Sequence, residues 1–258
     1  MTNSTKRATV IKIGGSTLGS EDTSLQDVAA LHRAGERVVV VHGGGAMITD
    51  WLKKMAIDSV FVDGLRSTNE AALEVVVGVL RGVVNAQLVG EIVALGGRAV
   101  GVCGVDGGCV RAERYDDRLG YVGRVTSVDG PFIEGLLDAG FVPVIAPIGF
   151  EAPNQPLNIN ADTVAGEVAR AIHADSLTFL TDVDGLLDAS KTLMPQVDAA
   201  RAAALRAEGT LSGGMIPKID ACFRAAEVGV RALIANGTTP GTLRRIAAGE
   251  SVGTLIKG

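Results

Sequence analysis

Residues 9–16 read TVIKIGGS and residues 38–45 read VVVVHGGG, two short β-branched runs that each stop at glycines. Such runs predict buried strands, and Thr23-Ser24-Leu25-Gln26 between them predicts a capping box that opens a helix. Strand, glycine turn, helix, strand is the pattern of a parallel sheet with crossover helices. The alternation continues along the chain. Further strands are predicted over 99–103, 142–146, 177–180 and 232–234, and a long helix over 71–93 that tolerates Gly78, Gly82 and Gly90. The expected fold class is therefore α/β with a mainly parallel central sheet.

Two segments break the alternation. Residues 109–127 are too short for a crossover helix, and Tyr121-Val122-Gly123-Arg124-Val125 predicts a β-hairpin laid over one end of the sheet as a lid or wall. Pro153-Asn154-Gln155-Pro156 reads as a turn. After it, Asn160 is placed to cap a helix whose Val164, Val168 and Ile172 recur at helical spacing. With no Pro- or Ser-rich linker and no internal repeat, any second lobe must share the sheet. The expected boundary lies near Asp175, giving an N-terminal lobe of residues 1–174 and a C-terminal lobe of residues 175–258.

Composition narrows the function. Of 258 residues 47% are hydrophobic and only 3% aromatic, so Val, Ala, Leu and Ile must build the core; 34 glycines imply many close backbone approaches. A formal net charge of −5, with no basic run beyond Lys6-Arg7 and Arg244-Arg245, argues against nucleic acid or anionic membrane as partner and for a small molecule. No apolar leader precedes residue 9 and no run is expected to reach the roughly 18 apolar residues of a membrane span, so the expected location is cytoplasmic. Cys103, Cys109 and Cys222 lack CxxC spacing and read as reduced packing residues. His32, His42 and His173 are too scattered for a shared metal site.

Both glycine loops fail the dinucleotide and Walker A patterns. A glycine turn after a strand still presents backbone N–H groups and a helix N-terminus, about half a positive charge, to an anion; plain strand-to-helix turns remain the alternative. Lys12 stands inside an apolar strand just before its glycines, where an ammonium is costly unless it leaves the strand end or meets an anion. Lys218, in the first turn of a helix after Gly213-Gly214, opposes the macrodipole by about 0.3–1 kcal/mol unless an anion binds nearby. Asp162 suits a helix N-terminus and could also orient lysines. The turn Asp182-Val183-Asp184-Gly185 fits a nucleotide or magnesium as well as an unliganded acidic turn, and Arg66 can make a bidentate contact with a carboxylate.

Taken in order, IKIGGS (11–16), VVHGGG (40–45), DGLR (63–66), GVVN (82–85), IAPIG (145–149), NINADTVAGEVARA (158–171), LTDVDGLLD (180–188) and SGGMIPKI (212–219) span nearly the whole chain. Together they resemble the amino acid kinase family, in the branch that phosphorylates N-acetyl-L-glutamate. The resemblance implies a three-layer αβα sandwich whose N-terminal lobe binds acetylglutamate and whose C-terminal lobe binds ATP. Mg²⁺ would be carried on the nucleotide phosphates, with no metal ligands assigned in the protein. It matches Lys12 and Lys218 to lysines that stabilise the phosphoryl group in flight, and Asp162 to the aspartate that holds them. Gly15 and Gly44 match glycines whose N–H groups face the phosphates, while Gly43, Gly45, Arg66 and Asn158 match positions around acetylglutamate. Asp182, Val183, Gly185, Leu186, Ser212, Gly213, Gly214 and Met215 match the nucleotide side. No general base is implied, because the nucleophile is a carboxylate already ionised at pH 7.

The chain departs from the family pattern beside the acyl substrate: Ser67-Thr68-Asn69 replaces the usual Val-Thr-Asp, and Ala86 stands where a lysine is usual. The rival readings are a kinase for aminoadipate or glutamate attached to an acidic carrier protein, and a non-catalytic sensor on the same fold. With eight residues ahead of the first strand, the resemblance further implies a homodimer insensitive to arginine.

Overall fold

The computed structural model describes residues 7–14, 23–62 and 64–258. In chain order it contains β1 (Thr9–Ile13), α1 (Ser24–Arg33), β2 (Val38–His42), α2 (Gly45–Lys54), β3 (Phe61–Val62) and β4 (Leu65–Arg66). Next, α3 (Glu70–Val77) runs through a π-helical segment (Gly78–Val84) into α4 (Asn85–Ala94), followed by β5 (Ala99–Cys103), β6 (Val110–Arg114) and β7 (Gly123–Val128). Then come α5 (Gly130–Asp138), β8 (Val142–Ala146), β9 (Ile148–Glu151), β10 (Gln155–Asn158), α6 (Ala161–Ala171) and β11 (Ser176–Thr181). The chain closes with β12 (Gln196–Asp198), α7 (Ala199–Ala207), α8 (Met215–Ala226), β13 (Arg231–Asn236), α9 (Thr242–Ala247) and β14 (Thr254–Lys257).

Eight strands form one sheet in the order β12-β14-β13-β11-β1-β2-β8-β5, parallel throughout except at β13–β14. Side chains alternate across it. Val39 and Val41 enter a core with Ile133 of α5, Val164 and Val168 of α6 and Ile219 of α8, whereas Val38 and Val40 enter a core with α1, α2, α3 and α4. Two buried cores on opposite faces of one sheet make the αβα sandwich. Lys12 shares the face of Val10, so its side chain is directed toward α6.

Several local expectations need correction. Helix α1 does begin after Thr23, but Thr23 makes no side-chain cap; its hydroxyl accepts from Gly241 N at 3.0 Å, a tertiary use that local spacing cannot reveal. The stretch 153–156 is only partly a turn. Gln155 and Pro156 already belong to β10, which pairs antiparallel with β9, and with the hairpin β6–β7 these strands form a second sheet, β10-β9-β6-β7. Strands β12 and β14, three and four residues long, are not among the predicted strands. The helix over 70–94 also has the length and composition of a membrane span, contrary to expectation; half of that window is buried inside the protein, and Arg81 and Asn85 on it make polar contacts.

Candidate active site at the carboxyl edge of the sheet

Parallel strands put the ends of β1, β2 and β11 on one edge, where α/β folds place ligands. A cavity of about 330 Å³ opens there, walled by Lys12, Gly43–Gly45, Arg66, Asn158 and Asp162 together with apolar Ile48, Leu65, Val122 and Pro147. The N-termini of α2 and α6 both open into it, through Gly45 and Ala46 and through Asn160 and Ala161. Asn160 caps α6 as expected, its Oδ1 accepting from Asp162 N at 2.9 Å and Thr163 N at 3.2 Å.

Asp162 is 5% exposed and stands between two ammonium groups. Lys12 Nζ lies 2.8 Å from its Oδ1, an ion-pair contact rather than an aligned hydrogen bond, and Lys218 Nζ donates to its Oδ2 at 3.1 Å. Lys218 also donates to Gly214 O at 3.0 Å, tying the start of α8 to the same carboxylate. Three elements that are far apart in sequence thus converge on Asp162. Lys12, Lys218 and Arg66 outnumber Asp162 by two charges, a positive excess that suits an anionic ligand.

Arg66 is buried with its guanidinium held on several sides. It donates to Thr49 Oγ1 at 2.7 Å and Gly45 O at 3.1 Å, also to Ser59, and stacks 4.6 Å from the Phe61 ring. Burial lowers its pKa from the usual arginine value. Asn158 Nδ2 donates to Thr68 Oγ1 at 3.1 Å, and that hydroxyl donates to Arg66 O at 2.8 Å, so Thr68 joins the two candidate residues. The hairpin supplies Val122, which bridges to Asn158, so it serves as a wall.

The departures from the family pattern lie outside the cavity wall. Asn69 caps α3 by accepting from Ala72 N at 2.8 Å, a task aspartate performs equally, and Ala86 is exposed on α4. The other candidates divide. Asp182, Val183 and Ser212–Gly214 are exposed, whereas Gly185 and Leu186 are buried, with Leu186 N donating to Thr254 Oγ1 at 2.8 Å; none of these, nor Met215, walls the cavity. Asp184 accepts from Asn236 Nδ2 at 2.8 Å. Gly15 lies outside the described residues. Among the described residues no three His, Cys, Asp or Glu side chains gather as a metal site. Sequence reasoning passed over Thr49 and Thr68, because nothing local distinguishes them from surface threonines.

A model of the "Amino acid kinase family" matches residues 7–236. The acetylglutamate kinase of Dehalococcoides mccartyi strain BAV1 is 40% identical over 264 residues, covering 100% of this chain and 97% of that protein. The acetylglutamate kinase of Acidiphilium cryptum strain JF-5 is 45% identical over 266 residues, covering 96% and 89%. Among solved structures, smu.665 from Streptococcus mutans UA159 superposes with a TM-score of 0.84 at 29% identity, covering 97% of this chain and 98% of that one.

Proposed function

We propose that this chain, which belongs to the amino acid kinase family, transfers the γ-phosphoryl group of ATP to the side-chain carboxylate of N-acetyl-L-glutamate, yielding the acyl phosphate N-acetyl-L-glutamyl 5-phosphate of arginine biosynthesis. The observation that carries the reading is the Lys12–Asp162–Lys218 cluster at the mouth of an amino-acid-sized cavity. Phosphoryl transfer has a largely dissociative transition state with charge spread over the phosphoryl oxygens, so catalysis is chiefly alignment and charge neutralisation. Lys12 and Lys218 supply positive charge, the Gly44 N–H supplies a further donor, and Asp162 holds both lysines in place. Arg66 takes the α-carboxylate of the acceptor and Asn158 its acyl amide, while Ile48, Leu65 and Val122 exclude water from its methylenes. The carboxylate nucleophile needs no base.

The acidic turn at Asp182–Leu186 and the loop Ser212–Met215 receive the nucleotide, in a C-terminal lobe beginning near residue 175. Mg²⁺, when bound to the nucleotide phosphates, neutralises their charge; the exposed Asp182 carboxylate and the positive excess around Asp162 fit such a complex. A free amino acid is favoured over an acidic carrier protein because the hairpin arginines are engaged. Arg124 pairs with Glu113 at 2.7 Å, Arg118 with Asp116 at 2.7 Å and Arg114 with Glu151 at 3.8 Å, so carboxylates offset most of the hairpin's positive charge. We propose a cytoplasmic homodimer. Its support is β5, an open edge of the large sheet, and the exposed Val93 and Val105 near it.

A hydroxamate assay with ATP and Mg²⁺ tests the substrate. Turnover is expected with N-acetylglutamate and little with N-acetylaspartate; turnover only with carrier-linked aminoadipate would overturn the assignment, and none with any acceptor would favour a sensor.

A further inference from the structure

His42 ends β2 immediately before Gly43–Gly45 and is completely buried. Its Nδ1 lies 2.8 Å from Gly43 O. A carbonyl only accepts, so Nδ1 carries the proton and Nε2 is left with a lone pair. That lone pair faces Asn85 Nδ2 at 3.0 Å, and the same amide nitrogen donates to Val144 O at 2.8 Å. Asn85 Oδ1 in turn accepts from Arg81 Nη1 at 3.1 Å, and Arg81 Nε is 3.5 Å from Asp106 Oδ2. Asn85 is fully buried too, and turning its amide over would set oxygen against oxygen at Val144. The tautomer of His42 therefore follows from its partners.

Gly43 C=O and Gly44 N–H belong to one trans peptide and point in opposite directions. A hydrogen bond that fixes the carbonyl against His42 consequently fixes the Gly44 N–H on the opposite side of that peptide, and Gly44 is one of the residues that wall the cavity. Neighbouring packing supports the same placement. A Cβ at Gly101 on β5 would stand 1.9 Å from Asn85 Oδ1, so the glycine leaves room for the amide, and Asn85 directly follows the π-helical segment, a feature frequent at functional sites. We propose that His42 and Asn85 are positioning residues, which set the Gly43–Gly44 peptide so that its N–H faces the anion. This rests on the phosphoryl-transfer reading of the cavity.

The charged groups acting on the imidazole are Lys12 of β1 and Arg81 of the π-helical segment, both opposing protonation, with Asp106 paired to Arg81; burial lowers the His42 pKa to about 4. Asn85→Asp replaces the donor at Nε2 with an acceptor and so favours the imidazolium. The test combines imidazole ¹⁵N spectra, simple in a chain with three histidines, with steady-state kinetics. Wild-type His42 is expected as the neutral Nδ1–H tautomer from pH 6 to 8, read in the free protein whatever its substrate. Asn85→Asp is expected to show both nitrogens protonated at pH 7, which reads the contact between residue 85 and Nε2; Nδ1–H still faces Gly43 O in that variant, so the kinetic test falls on His42 itself. A second pair guards against misfolding: His42→Asn, which keeps a donor near the Nδ1 position, should turn over at least tenfold faster than His42→Leu. A wild-type imidazolium or Nε2–H tautomer, an unchanged neutral His42 in folded Asn85→Asp, or equal turnover in the His42 pair would overturn the proposal. Absence of acetylglutamate phosphorylation by wild type would instead overturn the functional reading and leave the tautomer measurement standing.

Discussion

Replacing Asp162 with Asn removes one negative charge from between two ammonium groups while keeping the side-chain shape. At an effective dielectric constant of about 20, contacts of 2.8 and 3.1 Å are each worth about 5–6 kcal/mol of gross attraction. Desolvation and the mutual repulsion of the lysines offset much of that, and removing one partner of a buried pair usually costs about 3–5 kcal/mol. The Lys218 side chain is 16% exposed, so water moderates the loss and the lower figure of about 3 kcal/mol applies. For a chain of this size that is a fall in Tm of about 6–12 °C. The charge count at the site rises from +2 to +3, so ATP or sulfate should restore more stability to Asp162→Asn than to wild type, while kcat falls because the lysines are no longer held. Thermal melts with and without ATP, together with initial rates, check both halves. An unshifted Tm, or a lowered Tm that polyanions fail to raise, would refute the reasoning.

Three further outcomes follow from the same geometry. Lys12→Ala and Lys218→Ala should each lose about 3–4 kcal/mol of transition-state stabilisation, a few hundredfold in kcat, with unchanged far-UV circular dichroism; near-normal turnover by either would remove it from the mechanism. Arg66→Ala should raise KM for acetylglutamate by about 2–3 kcal/mol with a smaller change in kcat, which steady-state kinetics against both substrates will separate. Stability should depend on His42: its folded pKa of about 4 lies below the unfolded value of 6.5, so the unfolded chain binds the extra proton between those values. Stability is therefore full above pH 6.5 and falls as the pH drops toward 4. The loss at pH 5 is about 2 kcal/mol, and urea midpoints at pH 7 and 5 should converge in His42→Leu.

The layer architecture was legible because periodicity is a local property. All six predicted strands exist, since runs such as 38–41 have no partner for their apolar side chains except a buried sheet, and Asn160 caps its helix because a cap needs only the two following N–H groups. Lys12 and Lys218 stood out from sequence for a similar reason: each occupies a place that its own strand or helix disfavours. Their meeting at Asp162, 150 and 56 residues away, is a property of the fold. So is the fate of Thr23, whose hydroxyl serves the N-terminus of α9 instead of its own helix. His42, one of three histidines too scattered in sequence to share a metal site, takes its tautomer from contacts that include Asn85, the residue that follows the π-helical segment. Pairing choices of this kind depend on which buried donor finds which acceptor after the sheet has closed, and no window of sequence contains both partners.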